Sequence, residues 1–180
     1  RIRVTSEPGK GSIFSFAVRL PHAEELEERL AVATPEPGAA TFAGCRILLA
    51  EDIEINREIV LSLMEDTGAS IDCAENGEIA VRMFHEAAVP YDFVFMDIQM
   101  PVMTGLEATR RIRALPRPEA KSVPIVAMTA NAFDEDVREC LAAGMNGHLS
   151  KPINVGELYA TLTKYLRRKA DCLLVKQESL

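Results

Sequence analysis

The chain has 180 residues, 48% of them hydrophobic and 26% charged, enough for one full domain and an appendage. A formal net charge of −7 and a pI near 5.1 argue against nucleic acid or an anionic membrane surface as the main partner. The four cysteines, Cys45, Cys73, Cys140 and Cys172, lack metal-ligand spacing and read as reduced thiols, and no signal peptide or membrane-length apolar run suggests direct membrane contact, so a cytoplasmic location is expected.

The chain begins at Arg1 without a methionine and reads as a piece of a longer protein. Residues 1–20 look like a β-hairpin. Ile2 and Val4 alternate with polar residues, Glu7-Pro8-Gly9-Lys10-Gly11 turns the chain, and Phe14, Phe16 and Val18 alternate again. Such a ribbon cannot bury its own apolar face and needs a partner. Gly9-Lys10-Gly11-Ser12 is not a phosphate-binding loop, because the upstream glycine and the following helix are missing. Residues 21–43 change composition to an acidic and then Pro/Ala-rich linker. The cluster Glu24-Glu25-Leu26-Glu27-Glu28, within His22 to Val32, reads as a turn or two of solvated helix or as a docking segment.

From Gly44 the pattern becomes strand, helix, strand, helix. Strands are predicted over Arg46–Ala50, Ser70–Ala74, Phe93–Asp97, Val123–Met128 and Gly147–Ser150, and helices over Ile53–Thr67, Glu78–Ala88, Leu106–Ala114, Asp134–Ala143 and Val155–Arg168. In the first helix Ile59 and Leu63 are expected to pack in the core; in the third, Arg110, Arg111 and Arg113 are expected to face outward. Residues 116–124 read as a loop and 169–180 as a tail too short for a DNA-binding effector domain. Five such alternations, over residues 44–168, imply an α/β domain: a five-stranded parallel sheet with helices on both faces.

Parallel strands share one carboxyl edge, where open α/β sheets bind ligands. Here that edge gathers Glu51 and Asp52, Asp97, Thr129 and Lys151. Clustered carboxylates repel one another unless a cation neutralises them, and an oxygen-only set without thiols or histidines suits Mg²⁺ rather than zinc. Asp97 stands alone at the central strand end and is the natural phosphoryl acceptor, with adjacent Glu51 and Asp52 as metal ligands, Lys151 as a point charge and Thr129 as a hydroxyl donor. The plainer alternative is a structural Lys151–Asp97 ion pair with Thr129 capping the next segment.

From about Cys45 to Arg168 the chain resembles a response-regulator receiver domain, which has the flavodoxin-like fold. Glu51-Asp52, the block from Met96 through Asp97 to Gly105, Thr129-Ala130 and Lys151-Pro152 stand in that family's order. The resemblance implies that Asp97 is the phosphoacceptor, that Asp52 and the Gln99 carbonyl coordinate Mg²⁺, that Glu51 acts through water, and that Thr129 and Lys151 hold the phosphoryl group. Ile53 and Ile55 on the first helix then form the partner-docking face. Ser6 to Phe16 with Leu20-Pro21 resembles the closing hairpin of a sensor histidine kinase ATPase domain, whose nucleotide boxes are not in this sequence, so ATP binding is not expected. Together these imply part of a hybrid histidine kinase, taking phosphate from a kinase phosphohistidine and handing it to a histidine phosphotransfer protein. Where the family often carries an aromatic switch residue this sequence has His148, which reads equally as a switch partner of Thr129 or as an ordinary edge-strand residue. Gln99 and Asn131 occupy positions that influence how long the acyl phosphate survives, and Thr104 replaces a common aspartate at a helix cap. Two other readings share these residues: a Mg²⁺-dependent aspartyl-nucleophile phosphohydrolase, which normally has a further acid where Gln99 stands, and a receiver-shaped interaction module that is never phosphorylated.

Overall fold

The computed structural model describes residues 2–7, 9–17, 42–130 and 134–177, the last group without the side chains of 134–136 and 167–177. Val18, the acidic cluster, the Pro/Ala-rich linker and Asn131 lie outside the described residues. The chain divides into two units, Arg1–Thr34 and Pro35–Leu180.

In the first unit β1 (Ile2–Glu7) pairs antiparallel with β2 (Gly11–Phe16). The register sets Ile2 opposite Phe16 and Val4 opposite Phe14, so the four apolar side chains share one face of the ribbon. All of them are exposed. Lys10 pairs with Glu7 across the turn at 2.7 Å.

In the second unit β3 (Arg46–Ala50), β4 (Ser70–Ala74), β5 (Phe93–Asp97), β6 (Ile125–Thr129) and β7 (Gly147–Ser150) form one parallel sheet in the order β4-β3-β5-β6-β7. The helices are α1 (Glu54–Met64), α2 (Gly77–Glu86), α3 (Gly105–Ala114), the short α4 (Pro118–Ser122), α5 (Asp134–Ala143) and α6 (Val155–Gln177). Successive strand residues serve opposite cores. Leu48, Val94 and Met96 pack with Phe84, Ala108 and Ile112 on one face. Ile47, Phe93 and Phe95 pack with Val60, Met64 and Leu162 on the other. Burial on both faces is why the central strands read as unbroken apolar runs.

Local signals set most boundaries. Asn76 caps α2 by accepting from the Ile79 N–H at 2.9 Å, and Thr104 caps α3 by accepting from Glu107. Two glycines let backbones meet. A Cβ at Gly105 would overlap the Asp97 carbonyl oxygen, and one at Gly77 would lie 2.5 Å from the Met103 carbonyl oxygen.

Four expectations are corrected. Residues 118–122, read as loop, form α4, with Pro118 pre-set for the first helical position. The last helix runs past Arg168 to Gln177. Ile59, expected in the core, is exposed, because α1 turns Val60 and Met64 inward and its neighbour Ile59 therefore points away. Arg113, expected outward, is half-buried and donates to the carbonyls of Gly144 and Ala120 and to Asn146 Oδ1. Among the described residues no helix is long and apolar enough to cross a membrane.

Candidate functional site

The parallel sheet starts with β3, and the chain moves out to β4, then crosses to β5 on the other side of β3. This reversal opens a crevice at the carboxyl ends of β3 and β5, the place where such sheets bind ligands. Glu51 and Asp52 follow β3 and Asp97 ends β5. Glu51 is only 1% exposed, Asp97 5% and Thr129, at the end of β6, 7%. The Lys151 N–H donates to the Thr129 carbonyl at 2.7 Å, which carries the lysine onto the same rim.

One ammonium joins the acids. Lys151 Nζ lies 2.6 Å from Asp97 Oδ2 and 2.7 Å from Glu51 Oε2. Asp97 Oδ1 accepts from the Gln99 N–H at 3.2 Å. Burial pushes the Asp97 carboxyl above the usual aspartate value, and the Lys151 hydrogen bond opposes that rise. Burial opposes the charge on Lys151, but its hydrogen bonds to Asp97 and Glu51 outweigh it and hold the ammonium above the usual lysine value.

Three carboxylates against one ammonium leave the cleft short of positive charge. Glu51, Asp52 and Asp97 each offer an oxygen, and these lie within 4.8 Å of one another. Asp52 Oδ1 is buried with no hydrogen-bond partner. A buried, unpartnered carboxylate oxygen in an all-oxygen set fits a hard divalent cation.

The sequence-predicted residues thus fall into two groups. Glu51, Asp52, Asp97, Gln99, Thr129 and Lys151 lie along one rim. Ile53 and Ile55 stand beside it at the start of α1, 49% and 59% exposed, while His148 is exposed on the edge strand β7. Ile59, one turn beyond Ile55, extends the exposed apolar stripe. The sequence reading missed Asn56, whose amide donates to Glu51 Oε1 at 2.7 Å, and Arg57, which donates to the Glu51 and Asp52 carbonyls at 2.8 and 3.0 Å. The available signal was position: polar side chains in the first turn after an acid-bearing loop can fold back onto it.

The family model for the response regulator receiver domain matches residues 47–163. The chain belongs to the response-regulator receiver family. Residues 47–163 are therefore a two-component signalling receiver domain. The chain is 39% identical over 172 residues to the aerobic respiration control sensor protein ArcB of Escherichia coli, covering 94% of this chain and 21% of ArcB. It thus spans about a fifth of that curated relative's length. The receiver domain of the sensor histidine kinase PA1611 from Pseudomonas aeruginosa, with a magnesium ion coordinated in its active-site cleft, superposes with a TM-score of 0.62 at 38% identity, covering 69% of this chain and 98% of that one. The Saccharomyces cerevisiae complex of the histidine phosphotransfer protein Ypd1 with the Ssk1 receiver matches with a TM-score of 0.65 at 31% identity, covering 72% and 94%.

Proposed function

We propose that this receiver accepts a phosphoryl group from a kinase phosphohistidine onto Asp97, in a Mg²⁺-dependent reaction, and passes it to a histidine phosphotransfer protein or to water. The observation that carries this reading is the convergence of Asp97, Glu51 and Asp52 with an ammonium shared between Asp97 and Glu51. An ionised Asp97 oxygen attacks phosphorus. The O–P bond forms as the P–N bond breaks, and the bonding pair returns to the imidazole, which takes up a proton. Lys151 and the Thr129 hydroxyl then engage phosphoryl oxygens, spreading the transferred charge. Asp52, Asp97 and the Gln99 carbonyl would hold Mg²⁺, with Glu51 acting through water, and the ion would supply charge neutralisation.

Thr129 and His148 are the proposed switch, His148 having room on the exposed edge of β7 to change rotamer. Ile53 and Ile55 are the proposed docking contacts, in keeping with their exposure beside the rim. The phosphotransfer complex formed by the yeast neighbour supports that type of partner. The parent is read as a cytoplasm-facing hybrid kinase, with residues 1–20 as the end of its ATPase domain. A match to ArcB that covers 94% of this chain, and so reaches beyond the receiver, supports this.

The test is intact mass after incubation with acetyl phosphate, with and without Mg²⁺. One phosphoryl group per chain is expected on the wild type with Mg²⁺, and none on Asp97→Asn. Equal labelling of Asp97→Asn removes the assignment, and an unlabelled wild type points to an interaction module.

A further inference from the structure

Lys151 is engaged twice before any phosphate arrives, with Asp97 and with Glu51. On the phosphoacceptor reading above, on which this inference rests, the ammonium must turn toward a phosphoryl oxygen. That movement strips one donor from Glu51, the most buried acid of the cluster at 1% exposure. A buried carboxylate that loses its partner is strongly destabilised. Among the described residues, the side-chain donor that remains to Glu51 is Asn56 Nδ2, 2.7 Å from the other oxygen, Oε1.

Asn56 does not act alone. Arg57 Nη1 donates to the carbonyls of both Glu51 and Asp52, tying down the backbone that carries the acid pair. Helix α1 also begins without a side-chain cap: its N-cap residue is Ile53, which makes no capping hydrogen bond. Asn56 and Arg57 supply from inside the first turn the side-chain anchorage between helix and loop that a capping residue would normally give.

We infer that Asn56 and Arg57 are positioning residues: they hold Glu51 and Asp52 in metal-binding geometry and keep Glu51 hydrogen-bonded while Lys151 leaves it for the phosphoryl group. Neither side chain touches the reacting atoms. Their effect runs through the acid pair.

The full chain is tested as wild type, Asn56→Leu, Asn56→Gln and Arg57→Ala, with two readouts. Calorimetric titration with Mg²⁺ alone reports the geometry of the acid pair, and labelling by acetyl phosphate at saturating Mg²⁺ reports the release of Lys151. Loss of a hydrogen bond to a charged group predicts a fall in labelling rate of about tenfold or more for Asn56→Leu. Its Mg²⁺ affinity falls several-fold, with substantial recovery in Asn56→Gln, which retains an amide. Arg57→Ala weakens Mg²⁺ binding more than it slows labelling at saturation. Urea midpoints separate these effects from a loss of fold: changes in Mg²⁺ affinity that merely follow the midpoint overturn the inference. Wild-type affinity and rate in Asn56→Leu also overturn it, while normal wild-type labelling leaves the phosphoacceptor reading standing. If the wild type itself is not labelled, that reading fails, and the release of Lys151 falls with it.

Discussion

Replacing Gly105 with alanine tests how tightly the start of α3 is built against the end of β5. The new methyl carbon would overlap the Asp97 carbonyl oxygen and lie 2.9 Å from both the Asp97 carbonyl carbon and Met96 Cγ. Comfortable carbon–carbon contact begins at about 3.5 Å, so the helix must retreat by at least about 0.6 Å. Backbone and a fully buried side chain block any cheaper escape. Retreat stretches the hydrogen bond from the Gly105 N–H to the Ile98 carbonyl, now 2.9 Å, worth about 1 kcal/mol. It also opens a gap around Ala108 and Ile112, both fully buried. A gap of about 0.5–1 Å forfeits a quarter to a half of each contact there, about 1 kcal/mol for a side chain of this size. Overpacking strain adds about 1–3 kcal/mol, and better helix propensity returns up to about 1 kcal/mol. The expected net loss is about 3 kcal/mol, read from urea unfolding followed by far-UV circular dichroism. Ala114→Gly, at an exposed position in the last turn of the same helix, isolates propensity and should cost no more than about 1 kcal/mol. A Gly105→Ala protein within about 0.5 kcal/mol of wild type, the range of a neutral surface change, refutes the packing argument.

Val102 holds a φ of 67° and is 78% exposed, a left-handed position that β-branched residues avoid. Val102→Asn should therefore raise stability by about 1 kcal/mol, measured as a higher urea midpoint at unchanged slope. Tyr91 donates to Asp72 at 2.8 Å; burial first, and Asp72 second, lift its pKa from 10.0 to about 12. Between those values the folded state keeps a proton that the unfolded state has lost, so stability is unaffected below the window and falls as pH rises through it, by up to about 3 kcal/mol. The chain has three tyrosines and no tryptophan. Tyrosinate absorbance can therefore follow the late phenol, which should vanish in Tyr91→Phe together with its share of the alkaline loss. Arg117 Nη1 donates to the Phe84, His85 and Ala87 carbonyls at the end of α2. Arg117→Ala should cost about 2 kcal/mol, and Arg117→Lys should recover little of it, because Arg117 also donates through Nε to Glu119 Oε1 at 2.7 Å and one ammonium does not reproduce that guanidinium fork. Equal midpoints for wild type and Arg117→Ala would show that water satisfies those carbonyls equally well.

The sheet was legible because its strands are buried on both faces, which turns alternation into apolar runs such as Phe93–Met96. The rim was legible for a related reason. A parallel strand that ends in acid, hydroxyl or lysine reveals which edge those groups share, before any distance is known. Less legible were features without periodicity. Five residues are too few for a helical stripe, so α4 passed as loop. Arg113 read as surface charge because its three acceptors come from segments 7 to 33 residues away, and two are backbone carbonyls common to every sequence. Ile59 is as apolar as its inward-facing neighbour Val60. Only the rotation of α1 about its axis, set by packing against the sheet, separates them.

That rotation divides the labour of the first two helical turns. Ile53, Ile55 and Ile59 face outward, while Asn56 and Arg57 fold back onto the acids. The proposed docking contacts and the proposed phosphate chemistry thus sit on opposite sides of one short stretch of backbone. With those isoleucines docking the partner as proposed, a descendant gene copy is insulated from its parent's circuit by exchanging them, without relearning how to hold the charge within.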